Sequence, residues 1–216
     1  MLQQSQLYQP RHFSVEDQAL AIEVMLAHPF ATLVSVLDGA PIFSHLPLHA
    51  LREGGQLVLL GHVARVNPHA AALGRGTATA IFQGGDAFIS PSLYSTREAV
   101  PTWNYVVIHA SGRIERMDES DAKEHVLKTL IDRHDAAYRA QWDEELSESY
   151  KERQKGAIVG LRLHVERLEA KFKLSQNRPA ADKASVLAAM QAGDASAQSL
   201  ATWMRRLGIG IGEQAP

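Results

Sequence analysis

The chain has 216 residues, 22 of them Lys or Arg and 24 Asp or Glu, with a formal net charge of −2. This length suits one domain with an appended segment, and the near-neutral charge excludes the overall basic field that drives nonspecific nucleic-acid binding. The absence of cysteine excludes disulfides, thiolate nucleophiles and cysteine-ligated zinc or iron–sulfur centres.

Targeting and membrane signals are missing from the sequence. Residues 1–13 lack the basic start and the apolar run of a signal peptide. No apolar run approaches the roughly 20 residues that a membrane helix needs. We therefore expect a cytoplasmic protein without membrane contacts.

The first half of the chain predicts one helix and then short strands. Ser14 has the position of a helix cap, and Pro29 ends the apolar helix that follows it. Asp38-Gly39 and Gly54-Gly55 are typical of hairpin turns, and residues 67–73 predict a short helix with proline at its first position. The segments around these features predict four strands: 31–37, 40–48, 56–62 and 77–82.

The second half predicts a long strand, amphipathic helices and closing strands. Residues 105–117 have the composition of a long strand with Gly112 as a candidate bulge, and the polar segment 86–102 before them predicts a loop. Apolar residues at helical spacing predict a helix from Asp118 onward. The remaining predictions are an exposed helix at 143–155, one or two strands at 156–165 and 168–174, helices at 182–190 and 195–207, and a frayed tail at 208–216.

This order of elements favours an α+β fold built on an antiparallel barrel. About six short strands are joined by hairpin turns, and no strand leads into the glycine-rich helix start of a doubly wound sheet. Helices flank the barrel, and a helical segment follows it at the C-terminus.

Most familiar catalytic and metal-binding patterns are missing. His45 and His49 are four residues apart on a predicted strand, but a metal would need a third ligand, and no His-Glu-x-x-His pattern occurs. There is no Gly-x-Ser-x-Gly elbow and no phosphate-binding loop of the Walker or Rossmann type. We therefore predict no metal site and no catalytic residue, although the 10 histidines leave a haem-binding function open.

Anion-binding and stacking side chains collect at predicted strand ends. His62 and Arg65 precede a helix start, whose backbone N–H groups favour a phosphate. Ser44 and His45 on the returning strand add further hydrogen-bonding groups. Trp103 and Asn104 place a flat ring beside an amide.

A second group of polar residues follows the last predicted strand. Alternation along a strand puts Phe172 and Leu174 toward the core. The residues on the opposite face are polar or basic: Lys171, Lys173, Ser175 and Asn177. Together the two groups suit a planar, phosphorylated ligand such as flavin mononucleotide (FMN).

Seven sequence blocks carry a resemblance to a known family. They are YQPRHF at 8–13, ATLVS at 31–35, SHLPL at 44–48, GHVARVNP at 61–68, ISPS at 89–92, VPTWNY at 100–105 and KFKLSQNR at 171–178. In this order, over roughly residues 1–190, they resemble the PaiB-like family of FMN-binding negative transcriptional regulators. The blocks PTWNY and KLSQNR are the most specific.

The resemblance implies a split β-barrel of the kind shared with pyridoxamine-phosphate oxidases and flavin reductases. It implies a homodimer with FMN between the subunits. We predict a flavin-binding domain at 1–178 and a helical extension packed on it at 179–216. The implied isoalloxazine contacts are Ser44, His45 and Leu46, the implied phosphate ligands are His62 and Arg65, and Asn67 supports the turn. Trp103 and Asn104 would close the groove, and Lys173, Ser175, Gln176 and Arg178 would reach it from the C-terminal strand end.

Two positions depart from the family pattern. Asp86 stands where histidine is common, and Leu93 stands where tryptophan is common. Because a carboxylate repels a phosphate, we expect the loop at 84–86 not to contact the cofactor. The segment after about residue 190 is outside the resemblance.

The resulting expectation is an FMN-binding protein that represses transcription. The alternatives are a flavin-dependent oxidoreductase related to pyridoxamine-phosphate oxidase or flavin reductase, and a haem-binding split barrel. Little in the sequence supports direct DNA binding, since the candidate contacts in the C-terminal helices are Lys183, Arg205 and Arg206. Whether the flavin turns over a substrate is left open by the sequence.

Overall fold

Eight strands form one antiparallel sheet in the computed structural model, which describes residues 7–96 and 98–212. The strands are β1 (Ser14–Val15), β2 (Phe30–Leu37), β3 (Ala40–Pro47), β4 (His49–Glu53), β5 (Gln56–Ala64), β6 (Thr77–Ile89), β7 (Thr102–Met117) and β8 (Ile158–Lys173). Their order is β3-β2-β6-β7-β8-β5-β4, with β1 paired to β8. Because β3 and β4 stand at the two ends of this order, the described sheet does not close. The predicted α+β fold with an antiparallel sheet is confirmed.

Six α-helices accompany the sheet within the described ranges. They are α1 (Gln18–Ala27), α2 (Ser120–His134), α3 (Tyr138–Ala140), α4 (Glu148–Gly156), α5 (Ala180–Gln191) and α6 (Ala195–Arg206). Short 3₁₀ turns cover Arg11–Phe13, Pro68–Ala71 and Pro91–Leu93, and a π-helical turn covers Gln141–Glu145. No helix of the described chain is both long and apolar enough to cross a membrane.

The chain divides into two compact units. Within the described ranges, the first unit is drawn from Met1–Ala27, Gln83–Ile108 and Glu169–Pro216, and the second from His28–Phe82 and His109–Leu168. The predicted division at residue 178 stays a prediction.

Each unit has its own buried apolar cluster. In the first unit the Phe172 and Trp203 rings pack edge to face with centroids 6.0 Å apart, and Leu174 is fully buried. This confirms that Phe172 and Leu174 face the core. In the second unit the apolar face of α2 packs on strand residues, in a cluster of Leu60, Met117, Val126 and Leu130.

The first helix begins later than the sequence predicts. Ser14 is not a cap, because it pairs with Lys171 in the ladder between β1 and β8. The cap of α1 is Asp17, whose carboxylate accepts hydrogen bonds from the backbone N–H groups of Ala19 (2.8 Å) and Leu20 (3.3 Å). The cap therefore lies three residues after the predicted one.

The strands are longer and more numerous than predicted. The segment 40–48 breaks at Leu48, whose N–H donates to the Pro29 carbonyl (2.9 Å), so β4 is a separate strand that sequence reasoning missed. The predicted loop at 86–102 is wrong at its start, because β6 continues through residues 84–86 to Ile89. Gly112 permits close packing: a Cβ there would lie 1.8 Å from the His164 carbonyl oxygen.

Two expectations about exposure also need correction. The helix at 143–155 is not fully exposed, since Lys151 and Lys155 are buried and their ammonium groups pair with glutamates. The prediction of a frayed tail is wrong for its first residues. Ile209 is buried, and its N–H donates to the Met204 carbonyl (2.8 Å). Residues 213–216 of the predicted tail lie outside the described residues.

Candidate functional site

The twelve predicted cofactor contacts fall into two sets, one in each unit. The second unit contains Ser44, His45, Leu46, His62, Arg65 and Asn67, and the first unit contains Trp103, Asn104, Lys173, Ser175, Gln176 and Arg178. Each set is described below by the contacts that its members make.

In the second unit, Ser44 belongs to a buried hydrogen-bond network that holds its hydroxyl in place. Asn67 caps the short turn after β5: its side-chain oxygen accepts from the His69 N–H (2.8 Å), and its Nδ2 donates to Ser44 Oγ (3.2 Å). The His69 ring has Nδ1 3.1 Å from Ser44 Oγ and Nε2 3.0 Å from Ser35 Oγ. Asn67 therefore supports the turn, as the resemblance implied.

His69 was missed by sequence reasoning. It is fully buried, and burial lowers the pKa of its imidazole. In the neutral ring one nitrogen donates and the other accepts, which matches two hydroxyl partners. The available signal was its position two residues after a capping asparagine, but the serine partners come from distant strands.

Alternation along β3 separates the three predicted isoalloxazine contacts. Ser44 and Leu46 are buried on one face, whereas His45 is exposed on the other. The His45 Nδ1 lies 3.0 Å from the Thr32 hydroxyl on the paired strand. The structure therefore brings Ser44 and Leu46 to one side and His45 to the opposite side.

Arg65 is engaged with the protein itself. Its Nε donates to the Gly156 carbonyl (2.7 Å), and its Nη2 donates to the Ile158 carbonyl (3.0 Å) and to Asp118 Oδ1 (3.2 Å). Hydrogen bonds from Arg116 and from Arg65 lower the pKa of Asp118. Arg65 thus ties the end of β5 to the connection between α4 and β8, and its role as a phosphate ligand stays a prediction.

His62, the other predicted phosphate ligand, is largely buried on β5. Its Nδ1 is buried without a hydrogen-bond partner among the described residues. Burial lowers the pKa of the imidazole, so the ring is mainly neutral at physiological pH. A neutral ring offers a hydrogen bond to a ligand but no positive charge.

In the first unit, four predicted contacts line one cavity of about 230 Å³, which we call the anion cavity. It lies between the start of β7, the end of β8 and the turn after it. Its lining residues are His12, Phe13, Tyr94, Val100, Pro101, Thr102, Asn104, Lys173, Ser175, Asn177 and Arg178. None of these lining residues is acidic. Trp103 and Gln176 do not line it.

Ser175 holds an unusual backbone conformation at this cavity. Its φ is +64°, in the left-handed region that residues other than glycine seldom adopt. The buried Asn104 amide donates to Ser175 Oγ (3.0 Å), and the Arg178 N–H donates to the Ser175 carbonyl (3.0 Å). Gln176 turns back to accept from the Leu174 N–H (2.7 Å) and to donate to the Phe172 carbonyl. A strained backbone conformation that is stabilised by several hydrogen bonds is typical of a functional site.

Two basic side chains, Lys173 and Arg178, line the anion cavity. The Lys173 ammonium donates to the Thr102 hydroxyl, and burial, with a smaller contribution from Lys171, lowers the pKa of Lys173. The Arg178 guanidinium stacks 4.0 Å from the Tyr94 ring centre. The Tyr94 hydroxyl is buried without a hydrogen-bond partner among the described residues. These groups fit the phosphate end of FMN, since charged and neutral donors surround a space without an opposing carboxylate.

Trp103 lies on the other face of β7 from Asn104. Its side chain is 52% exposed, whereas Asn104 is fully buried. Trp103 meets Phe88 of β6 edge to face at 6.0 Å and lines a different cavity, together with Asp86. Adjacent residues of a strand face opposite sides, so these two predicted contacts are not brought together. Thr102 and Tyr94, which sequence reasoning missed, line the anion cavity instead.

Comparison with known proteins identifies the family. Residues 7–167 match the family described as "Putative FMN-binding domain". The chain belongs to this family, so it is an FMN-binding flavoprotein with a split-barrel fold, and the predicted cofactor is confirmed.

Individual relatives agree with this assignment. The chain is 32% identical over 189 residues to "Protease synthase and sporulation protein PAI 2" of Bacillus subtilis (strain 168), covering 86% of this chain and 89% of that protein. An uncharacterized protein of Aspergillus fumigatus is 28% identical over 167 residues, covering 60% of this chain and 64% of that protein. The PaiB-like resemblance is therefore confirmed.

Two solved structures share the fold. The flavocytochrome Anf3 from Azotobacter vinelandii superposes with a TM-score of 0.58 at 17% identity, covering 76% of this chain and 71% of that chain. The FAD and heme binding protein from Mycobacterium smegmatis superposes with a TM-score of 0.55 at 22% identity, covering 74% and 73%.

Proposed function

We propose that this flavoprotein holds the anionic end of FMN in the anion cavity. The observation that carries the proposal is the presence of Lys173 and Arg178 in one cavity whose lining, among the described residues, contains no Asp or Glu. Burial disfavours the Lys173 ammonium, and a bound phosphate compensates for the lost hydration. Asn104, Thr102 and the Tyr94 hydroxyl supply neutral hydrogen-bonding groups beside the two cations.

The cavity volume limits which part of the cofactor it holds. At about 230 Å³ it is smaller than the roughly 300–1,000 Å³ typical of pockets that enclose a whole drug-sized ligand. We therefore propose that the cavity holds the phosphate and part of the ribityl chain, with the tricyclic ring outside it. When bound, the isoalloxazine ring supplies hydride and electron transfer. The protein residues bind and orient it.

A titration of the full chain with FMN, followed by absorbance and fluorescence, tests this proposal. We expect saturable binding that Lys173→Met and Arg178→Met each weaken by about tenfold or more, because each removes a charged donor to the phosphate. Lys183→Met is the matched control, since Lys183 belongs to the same unit and lies outside the cavity lining. Equal affinity for FMN in all four proteins would overturn the placement of the phosphate.

The contacts predicted in the second unit form an alternative proposal for the cofactor. In that placement Ser44, His45 and Leu46 would contact the isoalloxazine edge, and His62 and Arg65 would bind the phosphate. Support comes from the Ser44 hydroxyl, which accepts a hydrogen bond from Asn67 Nδ2, and from His62 Nδ1, which has no hydrogen-bond partner among the described residues. A haemin titration run beside the FMN titration tests the haem alternative, which a Soret band without any FMN binding would favour.

We also propose that the protein is a homodimer that pairs through the outer face of β2 and β3. Phe30, Val36 and Phe43 on this face are 67%, 61% and 59% exposed. Cross-strand pairing places Val34 opposite Phe43 and Val36 opposite Pro41. The even-numbered residues of β2 and their partners include no Lys, Arg, Asp or Glu. Depletion of charge around aromatic residues is typical of the centre of an interface.

Sedimentation equilibrium of the full chain tests the dimer. Phe43→Glu would bury a carboxylate in a self-complementary interface twice, so we expect it to yield monomers. Glu16→Gln, at an exposed residue of the first unit, is the control. A monomeric parent protein, or a Phe43→Glu variant that stays dimeric, would contradict this proposal.

The regulatory role is proposed from the similarity to the Bacillus subtilis protein named "Protease synthase and sporulation protein PAI 2". Direct DNA binding has little support from the charges of α6, because Arg206 is paired with Glu23 (2.9 Å) and leaves Arg205 as the other arginine of that helix. We therefore propose that regulation acts through the bound ligand. Retardation of promoter DNA that disappears with added salt would favour direct binding instead. The cytoplasmic location stays a prediction that cell fractionation would check.

A further inference from the structure

A second cavity of the first unit combines aromatic rings with a carboxylate; we call it the aromatic–acid cavity. It has a volume of about 340 Å³ and lies on the face of β7 opposite the anion cavity. Its lining residues are Gln83, Gly85, Asp86, Trp103, Tyr105, Val106 and Val107. Asp86 is the charged residue of this lining, so the two cavities on β7 have opposite charge.

The Asp86 backbone is held by α6. Ser196 Oγ donates to the Asp86 carbonyl and accepts from the Asp86 N–H, each at 2.8 Å. Gly85, with φ +105°, allows this approach, because a Cβ there would lie 2.8 Å from the Ser196 carbonyl oxygen. Ser199 Oγ and Trp203 Nε1 both donate to the Gly84 carbonyl, at 2.8 and 3.2 Å. The carboxylate is thus presented from a fixed segment.

The Asp86 carboxylate has no salt-bridge partner among the residues that the structure describes. It accepts a long hydrogen bond from Ser196 Oγ (3.4 Å). Lys171, a cation near this lining, lies 5.2 Å from the Tyr105 ring centre and donates to the Tyr8 carbonyl (2.8 Å). One face of the Tyr105 ring is therefore occupied by the Lys171 ammonium. The exposed aromatic rings near Asp86 are those of Trp103 and Phe88.

From this arrangement we propose that the aromatic–acid cavity binds a small organic cation, of the alkylammonium class. Asp86 neutralises the positive charge, and the face of Trp103 attracts it through the ring quadrupole. An anion would be repelled by Asp86, and a neutral planar ligand would leave that carboxylate unpaired. The inference does not rest on the proposed function, because no residue of the anion cavity takes part.

Choline and its neutral isostere, the alcohol with a tert-butyl group in place of trimethylammonium, are the test ligands. Both are titrated into the full chain, with binding followed by calorimetry and by tryptophan emission. Trp103 is the exposed fluorophore, since Trp142 and Trp203 are both 6% exposed. We expect saturable choline binding and at least about tenfold weaker binding of the alcohol, because only the cation gains the ring and carboxylate attractions.

The variants separate charge from shape. Asp86→Asn keeps the shape and removes the charge, so it should weaken choline binding by about tenfold, while Asp86→Glu retains part of the affinity. Trp103→Phe should abolish the emission change while calorimetry still detects weaker binding. Glu16→Gln, an exposed carboxylate of the same unit, should leave the affinity unchanged.

Three results would overturn the inference: no saturable choline binding to the parent protein, equal affinity for choline and the alcohol, or undiminished choline affinity in Asp86→Asn. Near-ultraviolet circular dichroism of each variant shows whether its fold is intact. An FMN titration of the same variants reports the anion cavity separately, so failure of one proposal is distinguishable from failure of the other.

Discussion

Asn104 and Ser175 exchange hydrogen bonds in both directions: Asn104 Nδ2 donates to Ser175 Oγ (3.0 Å), and Ser175 Oγ lies 3.3 Å from Asn104 Oδ1. Both residues are buried, at 0% and 4% exposure. The pair ties the start of β7 to the turn after β8, where Lys173 and Arg178 flank the anion cavity. The left-handed backbone of Ser175 is therefore retained by its side chain.

Substitution of Ser175 separates backbone strain from the hydrogen bond. Ser175→Ala keeps the unfavourable φ and leaves the buried Asn104 amide unpaired, so we expect it to lower the free energy of unfolding by about 1–3 kcal/mol. Ser175→Gly loses the same hydroxyl but relieves strain of about 1 kcal/mol, so it should destabilise less. Urea unfolding measures both. A glycine variant as unstable as the alanine variant would show that the backbone is not strained.

Lys173 should give FMN binding a distinctive pH dependence. Burial lowers its pKa in the free protein, so its ammonium is lost at a lower pH than that of an ordinary lysine. Because the phosphate needs that charge, FMN affinity should fall as pH rises from about 7, where the phosphate is mostly a dianion, toward the lowered pKa. Lys173→Arg should keep its affinity to higher pH. Titrations across this range with parent and variant provide the measurement.

The same lysine affects stability with the opposite sign. The unfolded chain has the ordinary, higher pKa and binds more protons between the two values, so the Lys173 contribution to stability increases as pH rises through this window. Lys173→Met should remove this contribution while weakening FMN binding. If Lys173→Met instead bound FMN as tightly as the parent at neutral pH, the phosphate would not contact this residue.

Arg65 is expected to matter for stability more than for the cofactor. Arg65→Ala removes the donors to the Gly156 and Ile158 carbonyls and to Asp118, which should lower the free energy of unfolding by about 1–2 kcal/mol. The estimate is kept small because the Arg65 side chain is 43% exposed. Denaturant unfolding checks this value. FMN affinity that falls further in Arg65→Ala than in Lys173→Met would move the phosphate to the second unit.

Buried His69 should make the fold sensitive to acid. Its folded pKa lies below the ordinary value of 6.5, so its contribution to stability is present above 6.5 and is lost as pH falls toward the lowered value. His69→Gln, which also carries a donor and an acceptor, should reduce the fall in melting temperature between about pH 7 and pH 5. His125→Gln, on an exposed residue of α2, is the control. An unchanged pH profile in His69→Gln would contradict this expectation.

Local patterns predicted much of the fold. The hairpin at Asp38-Gly39 was predictable, because both residues readily adopt positive φ, which is 52° and 81° in the structure. The cap of the turn at Pro68 was also predictable, because Asn67 bonds its own backbone two residues on. The spacing at the end of β8 also predicted correctly that Phe172 and Leu174 are buried in the core.

The rest depended on contacts between distant segments. In the segment from Thr102 to Tyr105 both faces of the strand line cavities, so no apolar–polar alternation marks which side is which. Trp103 and Asn104 consequently seemed to belong together. His69 could not be placed because its partners, Ser35 and Ser44, come from β2 and β3. Leu48 broke a predicted strand through a bond to Pro29, which no local pattern encodes.

The two-faced start of β7 restricts how this protein can evolve. Substitutions there alter one cavity at a time, because neighbouring side chains serve different faces. An insertion or deletion of one residue between Thr102 and Tyr105 would exchange the two linings, placing the indole among the cations and the amide beside Asp86. Lineages descended from this chain can therefore vary the chemistry of either cavity independently, while the length of this short segment stays fixed.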